Sequence, residues 1–302
     1  ERNLPTLIHL VIALAALAAA ALYLNAHYHQ TARLAEEVSG IEQATAGGSK
    51  PSAEQEATLA AWGERRAETI PSDESTAMFS GWHEGSYWDA VTGQFAFSYD
   101  FQWAHLPFWL LTDMLPFMLI GMALLKWGVL SAQRSVRFYA AMALGGYAVG
   151  IPLGLYELGI LTAGGYGPVA AADAARTYEF SRLAMVAGHL GLILLVVRLG
   201  VAGWLMRGLA AAGQMALTNY IAQTVICTVL FYGFGFGLYM QLDRAQLYLL
   251  VAAIAAVEIA WSVAWLRNFR FGPLEWVWRS LTYWQLQPTR LRAGATPVTA
   301  LA

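Results

Sequence analysis

The residues of this chain that are best placed to do chemistry are a few ionisable side chains inside strongly apolar stretches. Glu258 stands in the run Ala-Val-Glu-Ile-Ala-Trp, and His189 and Asp113 stand in two other apolar runs. An ionisable group at membrane depth is costly unless it is paired or wetted, so such a residue is a functional candidate by default. A carboxylate or an imidazole there can act as a general base or relay a proton. We therefore take Glu258, His189 and Asp113 as candidate catalytic residues.

Each of these candidates also has a simpler structural interpretation. His189 can hydrogen-bond a neighbouring helix, and Glu157 can be an interfacial carboxylate at the end of its apolar run. Asn219 and Gln223 are four residues apart and share one face of a helix. This pair either joins two helices by hydrogen bonds or belongs to a substrate-binding or lipid-binding site.

Motifs of soluble enzymes and metal sites are absent from the sequence. It contains no phosphate-binding loop, no His-Glu-x-x-His and no Gly-x-Ser-x-Gly. The single cysteine, Cys227, excludes a thiolate metal cluster, and His27 and His29 lack a third ligand at suitable spacing. We therefore predict no metal site. The net charge of −2 provides no basic face, so we expect no nucleic acid partner.

Long apolar segments must position these side chains. The chain has 302 residues, of which 58% are hydrophobic and 13% charged, and its mean hydropathy is +0.46. Soluble domains carry about a quarter charged residues. The composition therefore predicts an all-α, polytopic membrane helix bundle. A span needs about 20 apolar residues, and six segments meet this requirement: 7–24, 107–126, 136–158, 178–205, 215–238 and 246–266.

The distribution of charge predicts the orientation of these spans. The segments that follow the second, fourth and sixth spans are basic, and Glu275 is the one acid in them. Their basic residues are Lys126, Arg134, Arg137, Arg198, Arg207, Arg267, Arg270, Arg279, Arg290 and Arg292. Because short cytoplasmic loops retain lysine and arginine, we expect both termini to be cytoplasmic. Residues 25–106 carry twelve acids and four bases and are predicted to form an outward-facing loop.

Two helix starts and an aromatic stretch are predicted within this loop. Ser52 and Gln55 have the spacing of a capping box that opens a short helix to about Glu68. The run 71–74 marks a second helix start. The aromatic residues up to Trp103 predict an interfacial helix that leads into the second span. An alternative is that this stretch covers an outward-facing cavity.

A short amphipathic helix is predicted after the sixth span. Pro273 can open it, and Glu275 and Arg279 are four residues apart and can pair. We expect it to lie on the cytoplasmic face near anionic lipid. The candidate substrate-binding or lipid-binding residues are Asn219, Gln223, Arg267, Arg270, Trp276, Trp278 and Arg279. Residues 284–302 are predicted to form a flexible cytoplasmic tail.

Three stretches resemble the bacterial inner-membrane family DUF418, also called YeiB-like. They are GQMALTNYIAQTVIC at 213–227, FRFGPLEWVWRSLTY at 269–283 and LIGMAL at 119–124. The resemblance covers 107–283 and implies a membrane domain of five spans plus the amphipathic helix, in the bacterial inner membrane. Where the family usually has an arginine, this chain has Gln214, which argues against an anion site at that position.

The resemblance also carries expectations about function. The family is distantly grouped with membrane acyltransferases, which implies acyl transfer and, by that analogy alone, acyl-CoA as cofactor. The family's N-terminal spans, with an Asp-x-x-Arg-Gly-like motif, are absent here. We therefore expect the chain to be the later portion of a longer protein, with the catalytic residues and a partner region in the missing N-terminal half.

Two classes of function follow from these observations. The first is an integral membrane protein that acylates or transports an envelope or lipid-linked substrate. The second is a non-catalytic membrane subunit or scaffold of a larger complex. In either case the lipid bilayer is a partner, and the predicted organisation is a first span at 1–24, an outward loop at 25–106, a membrane domain at 107–283 and a tail at 284–302.

Overall fold

A computed structural model describes residues 4–290 of the protein. Within that range the regular structure is helical, apart from an isolated bridge between Phe269 and Arg290, so the predicted all-α class is confirmed. The α-helices are α1 (Leu4–Ala46), α2 (Ala53–Thr69), α3 (Asp73–Glu84), α4 (Tyr87–Asp100), α5 (Leu106–Trp109), α6 (Leu115–Lys126), α7 (Val136–Ala163), α8 (Pro168–Leu199), α9 (Gly203–Gln214), α10 (Ala216–Phe231), α11 (Arg244–Leu266) and α12 (Pro273–Thr282).

Five helical segments are long and apolar enough to cross a membrane, and a bent pair of helices provides up to one more. The five segments are Thr6–Ala46, Tyr87–Lys126, Val136–Ala163, Pro168–Leu199 and Arg244–Leu266. The bent pair consists of α9 and α10, whose axes differ by 83°. The protein is therefore an integral membrane protein with a polytopic helix bundle, as the composition predicts.

The first helix is much longer than the predicted span 7–24. It has 43 residues and ends at Ala46, directly before Gly47 and Gly48. Gly48 has a φ of +94°, which terminates the helix in a conformation that other residues rarely adopt. The prediction placed the end at Leu24 because the hydropathy falls there. A helix can continue when the chain passes from lipid into water, however, and residues 25–46 contain good helix formers.

The two helix starts predicted after α1 are confirmed. Ser52 accepts a hydrogen bond from the backbone N–H of Gln55, and the Gln55 side chain accepts one from the backbone N–H of Ser52. Ser72 accepts a bond from the backbone N–H of Ser75 in the same way. These contacts satisfy first-turn N–H groups that have no partner inside a helix.

The second span begins earlier than the predicted residue 107. α4, α5 and α6 form one helical segment joined by π-helical turns at Phe101–His105 and Leu110–Met114. Pro107 and Pro116 lie just after the start of α5 and of α6. A proline lacks the N–H that the preceding turn needs, and a π-turn accommodates the mismatch without ending the helix.

The predicted fourth and fifth spans end differently in the structure. α8 stops at Leu199, where Gly200 and Ala202 have φ values of +66° and +55°, instead of continuing to Leu205. α10 has 16 residues and ends at Phe231, ahead of the glycine-rich stretch that the prediction included up to Leu238. Hydropathy does not detect these breaks, because the residues that form them are as apolar as the helices.

The chain divides into two compact units. Among the described residues, the first unit contains 4–76 and Ser98–Arg198, and the second contains Ala77–Phe97 and 199–290. In the first unit, Gly146 lies so close to the backbone of Gly188 that no side chain would fit, so α7 and α8 pack along small residues. In the second unit, Ala211, Met215 and Leu266 form a small core between α9 and α11.

Residues 284–290 fold back along α12 and the segment that precedes it. The backbone N–H of Arg270 donates to the carbonyl of Thr289 at 2.9 Å, and Trp276 Nε1 donates to the carbonyl of Gln287 at 2.8 Å. The rest of the predicted tail, including Arg292, lies outside the described residues. The flexibility predicted for 284–302 stays a prediction.

Candidate functional site

Helix α12 is joined to the first turn of α10 by a carboxylate. Glu275 Oε1 accepts a hydrogen bond of 3.0 Å from the backbone N–H of Thr218, and Glu275 Oε2 accepts one of 2.5 Å from Thr218 Oγ1. The Thr218 hydroxyl also accepts a bond of 3.1 Å from the backbone N–H of Leu274. A carboxylate at this position is favourable because the N-terminus of a helix carries partial positive charge.

A cavity of about 840 Å³ opens beside this junction. The first turn of α10 contributes Leu217, the preceding corner contributes Gln214, and α12 contributes Glu275, Trp278 and Arg279. Arg270, Phe271, Thr282 and Tyr283 complete the polar and aromatic part of the lining. The cavity therefore combines cationic, aromatic and aliphatic surface within one unit.

Two arginines of the cavity lie over the same aromatic ring. The guanidinium carbon of Arg279 is 4.6 Å from the centroid of Phe271, and that of Arg270 is 5.3 Å from it. The backbone that carries the ring is held by Trp265, whose Nε1 donates to the Phe271 carbonyl at 2.9 Å. A guanidinium over an aromatic face gains a cation–π attraction, which holds both charges near one place.

Neither of these arginines is neutralised by an acid among residues 4–290. The ion pairs of that part of the chain involve other residues. The predicted pairing of Glu275 with Arg279 is wrong, because both carboxylate oxygens are bound to Thr218. The helix N-terminus offers two directed donors, whereas a partner four residues away on an exposed face offers a weak, solvated pair.

The other candidate residues on and near α12 differ in whether they line the cavity. Trp276 donates to the carbonyl of Gln287 and does not line the cavity, whereas Trp278 lines it and is 66% exposed. Arg267 follows the last residue of α11 and is exposed, outside the cavity lining. Of the predicted lipid-binding residues, Arg270, Trp278 and Arg279 are thus brought together.

Asn219 holds the corner between α9 and α10. Its Nδ2 donates to the carbonyl of Ala212 at 3.0 Å and to Ser262 Oγ at 3.1 Å, and its Oδ1 accepts from Trp261 Nε1 at 2.7 Å. The Ala212 carbonyl is near the end of α9 and also accepts a bond of 3.1 Å from the backbone N–H of Met215. Asn219 therefore ties the 83° bend to α11 and so positions the wall of the cavity.

Glu258 and Gln223 form the next polar contact between α10 and α11. Gln223 Nε2 donates to Glu258 Oε2 at 3.2 Å. Glu258 is 8% exposed, and its other oxygen is buried without a hydrogen-bond partner. Glu258 does not line the described cavities. Gln223 and Asn219 thus share a helix face as predicted, and both contact α11.

In the first unit, Asp113 is part of a charge cluster. Arg182 Nη2 lies 2.5 Å from Asp113 Oδ1 and 2.6 Å from Glu179 Oε2. Glu157, which is 9% exposed, accepts a bond of 2.9 Å from Thr177 Oγ1. These acids are therefore engaged by neighbours on α8.

His189 makes its described contacts within the first unit as well. Its Nδ1 lies 2.7 Å from the Met185 carbonyl of the same helix, and its ring meets Tyr147 edge-on at 5.3 Å. Asp113 and His189 belong to the first unit and Glu258 to the second, and the contacts described for each lie inside its own unit. The three predicted catalytic residues do not form one assembled site within either unit.

Several residues in and beside the cavity were not predicted as site residues from the sequence. Phe271 and Tyr283 line the cavity, and Thr218 binds Glu275 next to it. None of the three has a signal of its own, since aromatic and hydroxyl residues are common in membrane helices and at interfaces. Glu275 was noticed but paired with Arg279. Among residues 4–290, no group of three or more His, Cys, Asp or Glu side chains could hold a metal ion.

Comparison with known proteins places this chain in a family. Residues 124–285, more than half of the chain, match the model of the family described as "Protein of unknown function (DUF418)". The chain belongs to the DUF418 family. The matched region of this DUF418 protein contains the cavity, the Asn219 corner and Glu258. No solved structure matches the chain significantly.

Three curated relatives of the DUF418 chain carry names that state no function. "Uncharacterized protein YxaH" of Bacillus subtilis (strain 168) is 46% identical over 83 residues, 28% of this chain and 21% of the relative. "Uncharacterized protein YeiB" of Escherichia coli (strain K12) is 51% identical over 78 residues, 26% of this chain and 20% of the relative. "Uncharacterized 39.9 kDa protein in amylase 3'region" of Bacillus acidopullulyticus is 38% identical over 107 residues, 35% of this chain and 30% of the relative. The chain thus covers between 20% and 30% of the length of these relatives.

Proposed function

We propose that this DUF418 chain binds the anionic head group of an envelope or lipid-linked substrate in the cavity beside α12. One observation carries the proposal: the guanidinium groups of Arg270 and Arg279 lie over one Phe271 ring, line a cavity and have no acid partner among the described residues. Two like charges held together in this way favour an anion between them. Arginine is the side chain best suited to bind a phosphate or carboxylate with two parallel hydrogen bonds.

The aromatic part of the cavity supports an amphiphilic ligand. Trp278 and Tyr283 line it and are 66% and 65% exposed. Tryptophan and tyrosine are enriched where a membrane meets water, because their rings are apolar and their N–H or O–H groups are polar. A ligand with a charged head and an apolar tail would place its head on the arginines and its tail along these rings.

Two fates of the bound substrate are proposed. Transport of the substrate and acyl transfer to it, with acyl-CoA as donor, both remain proposals, and acyl transfer rests on the family resemblance alone. Within the cavity, Glu275 is held by Thr218, which disfavours it as a general base. The residues that would carry acyl transfer are therefore proposed to lie outside this cavity.

A second candidate function is a non-catalytic subunit or scaffold of a larger membrane complex. It is favoured by the contacts of the intramembrane acids, since Asp113, Glu157 and Glu258 each have a partner on a neighbouring helix. Such contacts stabilise a bundle without any reaction. Purification in mild detergent distinguishes the two functions: a stoichiometric partner protein favours the scaffold, and a bound lipid or acyl-CoA favours the substrate-binding function.

The binding function is tested with the full chain purified in a neutral detergent. The probes are dihexanoyl phosphatidylglycerol and its zwitterionic counterpart dihexanoyl phosphatidylcholine, measured by isothermal titration calorimetry below their micelle concentrations. We expect the anionic lipid to bind at least about tenfold more tightly. The variant R270Q/R279Q should lose this preference, while Arg33→Gln, a change at an exposed arginine of α1, should keep it. Equal binding of both lipids by the unaltered chain would refute the proposal.

We also propose that the protein lies in the bacterial inner membrane with both termini cytoplasmic and with α9 and α10 together forming one crossing. Single cysteines introduced at Gln43, Gln133 and Gln241 on a Cys227→Ser background test this topology. A membrane-impermeant thiol reagent should label positions 43 and 241 from outside and position 133 only after lysis. Labelling of position 241 only from inside would show that the bent pair re-enters the membrane without crossing it.

A further inference from the structure

The charge balance of the cavity is unequal. Its lining contains two cationic side chains, Arg270 and Arg279, and one carboxylate, Glu275. The net charge of these three groups is therefore positive by one. A ligand with one negative charge brings the cavity to neutrality, whereas a ligand with two leaves an excess negative charge inside it.

Glu275 is fixed where a second anionic group would otherwise bind. The first turn of α10 presents the backbone N–H and the hydroxyl of Thr218, and both donate to this carboxylate. The N-terminus of a helix is a ready site for phosphate oxygens. In this protein that site is filled by the chain's own anion, so an incoming anion has the two arginines as its binding groups.

The backbone next to Glu275 is shaped to keep the carboxylate there. A Cβ added at Gly272 would overlap Glu275 Oε2 and crowd Thr218 Oγ1. The φ and ψ of Gly272 are −62° and 160°, a conformation that alanine also adopts. Glycine is therefore needed here for space, and Gly272→Ala should push the carboxylate away from Thr218 without straining the backbone.

We propose that this cavity selects a phosphodiester, which carries one negative charge, over a phosphomonoester or a diphosphate, and that Glu275 determines this specificity. The inference rests on the proposed binding function. A phosphodiester can bind the two guanidinium groups with its two free oxygens and presents no further charge. The second charge of a phosphomonoester would face the Glu275 carboxylate, which already holds the donors of Thr218, and like charges in such proximity oppose binding.

The same phosphodiester chemistry occurs in a membrane lipid and in a soluble glycerophosphodiester. The apolar lining from Leu217, Phe271 and Trp278 favours the lipid, because it can cover the carbon chain next to the phosphate. The free head group should therefore bind more weakly than a short-chain lipid with the same phosphate.

The experiment compares four probes on the purified full chain at pH 8, where a phosphomonoester carries close to two charges. The probes are dihexanoyl phosphatidylglycerol, dihexanoyl phosphatidic acid, glycerophosphoglycerol and inorganic phosphate. We expect the unaltered chain to bind the phosphodiester lipid at least about tenfold more tightly than the phosphomonoester lipid. Glu275→Gln keeps the shape of the side chain and removes its charge, and it should reduce this ratio by about tenfold by improving the binding of the phosphomonoester.

Two further variants separate charge from position. Gly272→Ala keeps the carboxylate but displaces it, which opens the Thr218 donors and should also reduce the ratio. Glu84→Gln removes an exposed carboxylate of the same unit outside the cavity and should leave the ratio unchanged. The melting temperature of each variant, measured in the same detergent, shows that it is folded. If Glu275→Gln does not fold, Gly272→Ala decides the question.

The outcomes distinguish the inference from the function on which it rests. If no anionic probe binds the unaltered chain, the proposed function fails. If anionic lipids bind but the two classes bind equally, or if neither Glu275→Gln nor Gly272→Ala changes the ratio, the specificity assigned to Glu275 is wrong and the binding function stands. If glycerophosphoglycerol binds as tightly as the lipid, the conclusion that the phosphodiester belongs to a membrane lipid is wrong.

Discussion

Two arginine sites of this protein share a cation–π contact with a phenylalanine and differ in whether acids bind the guanidinium group. Arg182 lies over the ring of Phe117 at 4.3 Å, much as Arg279 lies over Phe271 at 4.6 Å. Arg182 is also bound by two carboxylates, Asp113 and Glu179. Arg279 has no acid partner among residues 4–290, although Glu275 is one helical turn away.

The comparison distinguishes an arginine that is neutralised inside the protein from arginines that have no acid partner among the described residues. Two acids around Arg182 leave no positive charge to attract a ligand, so the cluster serves to join α8 to the segment that contains Asp113. In the cavity, the carboxylate is bound by the N-terminus of α10, which leaves the arginines for an external anion. The same residue types thus have different roles, and the difference depends on which group holds the carboxylate.

The largest effect on stability is expected from Arg182→Leu. Its removal leaves Asp113 and Glu179 as uncompensated acids with side chains 25% and 12% exposed. Loss of one partner of a fully buried ion pair costs about 3–5 kcal/mol, and this partly buried cluster should lose about 2–3 kcal/mol. Thermal unfolding of the purified protein in detergent, followed by tryptophan fluorescence, should show a large decrease in the melting temperature, with Arg33→Gln as the control.

A triple variant sharpens this test. When Asp113, Glu179 and Arg182 are all replaced by leucine, the desolvation cost of the charges disappears and most of the stability should return. If the Arg182→Leu protein unfolds at the same temperature as the unaltered protein, the cluster does not stabilise the fold. Arg182 would then resemble Arg279 in contributing little to stability.

A smaller loss is expected from Asn219→Ala. The change leaves the Trp261 indole N–H and the fully buried Ser262 hydroxyl without their partner. Buried groups that lose their hydrogen bonds cost about 1–3 kcal/mol. The melting temperature should fall, and anion binding should weaken because the corner that forms the cavity wall is released. Gln241→Ala, in the exposed turn after α10, is the matched control.

Glu258 should contribute little to stability by its charge. Glu258→Gln preserves the volume and the contact with Gln223, so we expect a change within about 1 kcal/mol. Glu258→Leu should also be tolerated, since an apolar side chain has no desolvation cost at this depth. Loss of function in a complementation assay with Glu258→Gln, at normal expression, would show that the carboxylate is functional. A wild-type result would leave it with a packing role.

The smallest effect on stability is expected from Arg279→Gln. The side chain is exposed and has no acid partner among the described residues, so the free energy of unfolding should change by no more than about 0.5 kcal/mol. Binding of the anionic lipid should nevertheless fall by about tenfold. A large loss of stability in this variant would show that the arginine is structural and would remove the difference between the two sites.

The family and the helical class of this protein could be predicted from its sequence. The apolar segments, the capping residues Ser52 and Ser72 and the proline that opens α12 all act locally, within about one turn of helix. The same is true of the shared face of Asn219 and Gln223. The ends of α1 and α8 were placed wrongly because hydropathy describes the surroundings of a helix and not its backbone.

The pairing of charges was decided by the tertiary structure. Glu275 is four residues from Arg279, yet it binds Thr218, 57 residues earlier in the chain. The reason is physical: the first turn of a helix provides directed N–H and O–H donors in a partly enclosed place, and an exposed neighbour in the same helix provides a screened charge. Sequence alone determined that arginines, aromatic residues and a carboxylate would lie near α12. Only the packing of α12 against α10 determined that the Glu275 carboxylate is bound to Thr218, so that Arg270 and Arg279 have no acid partner among residues 4–290.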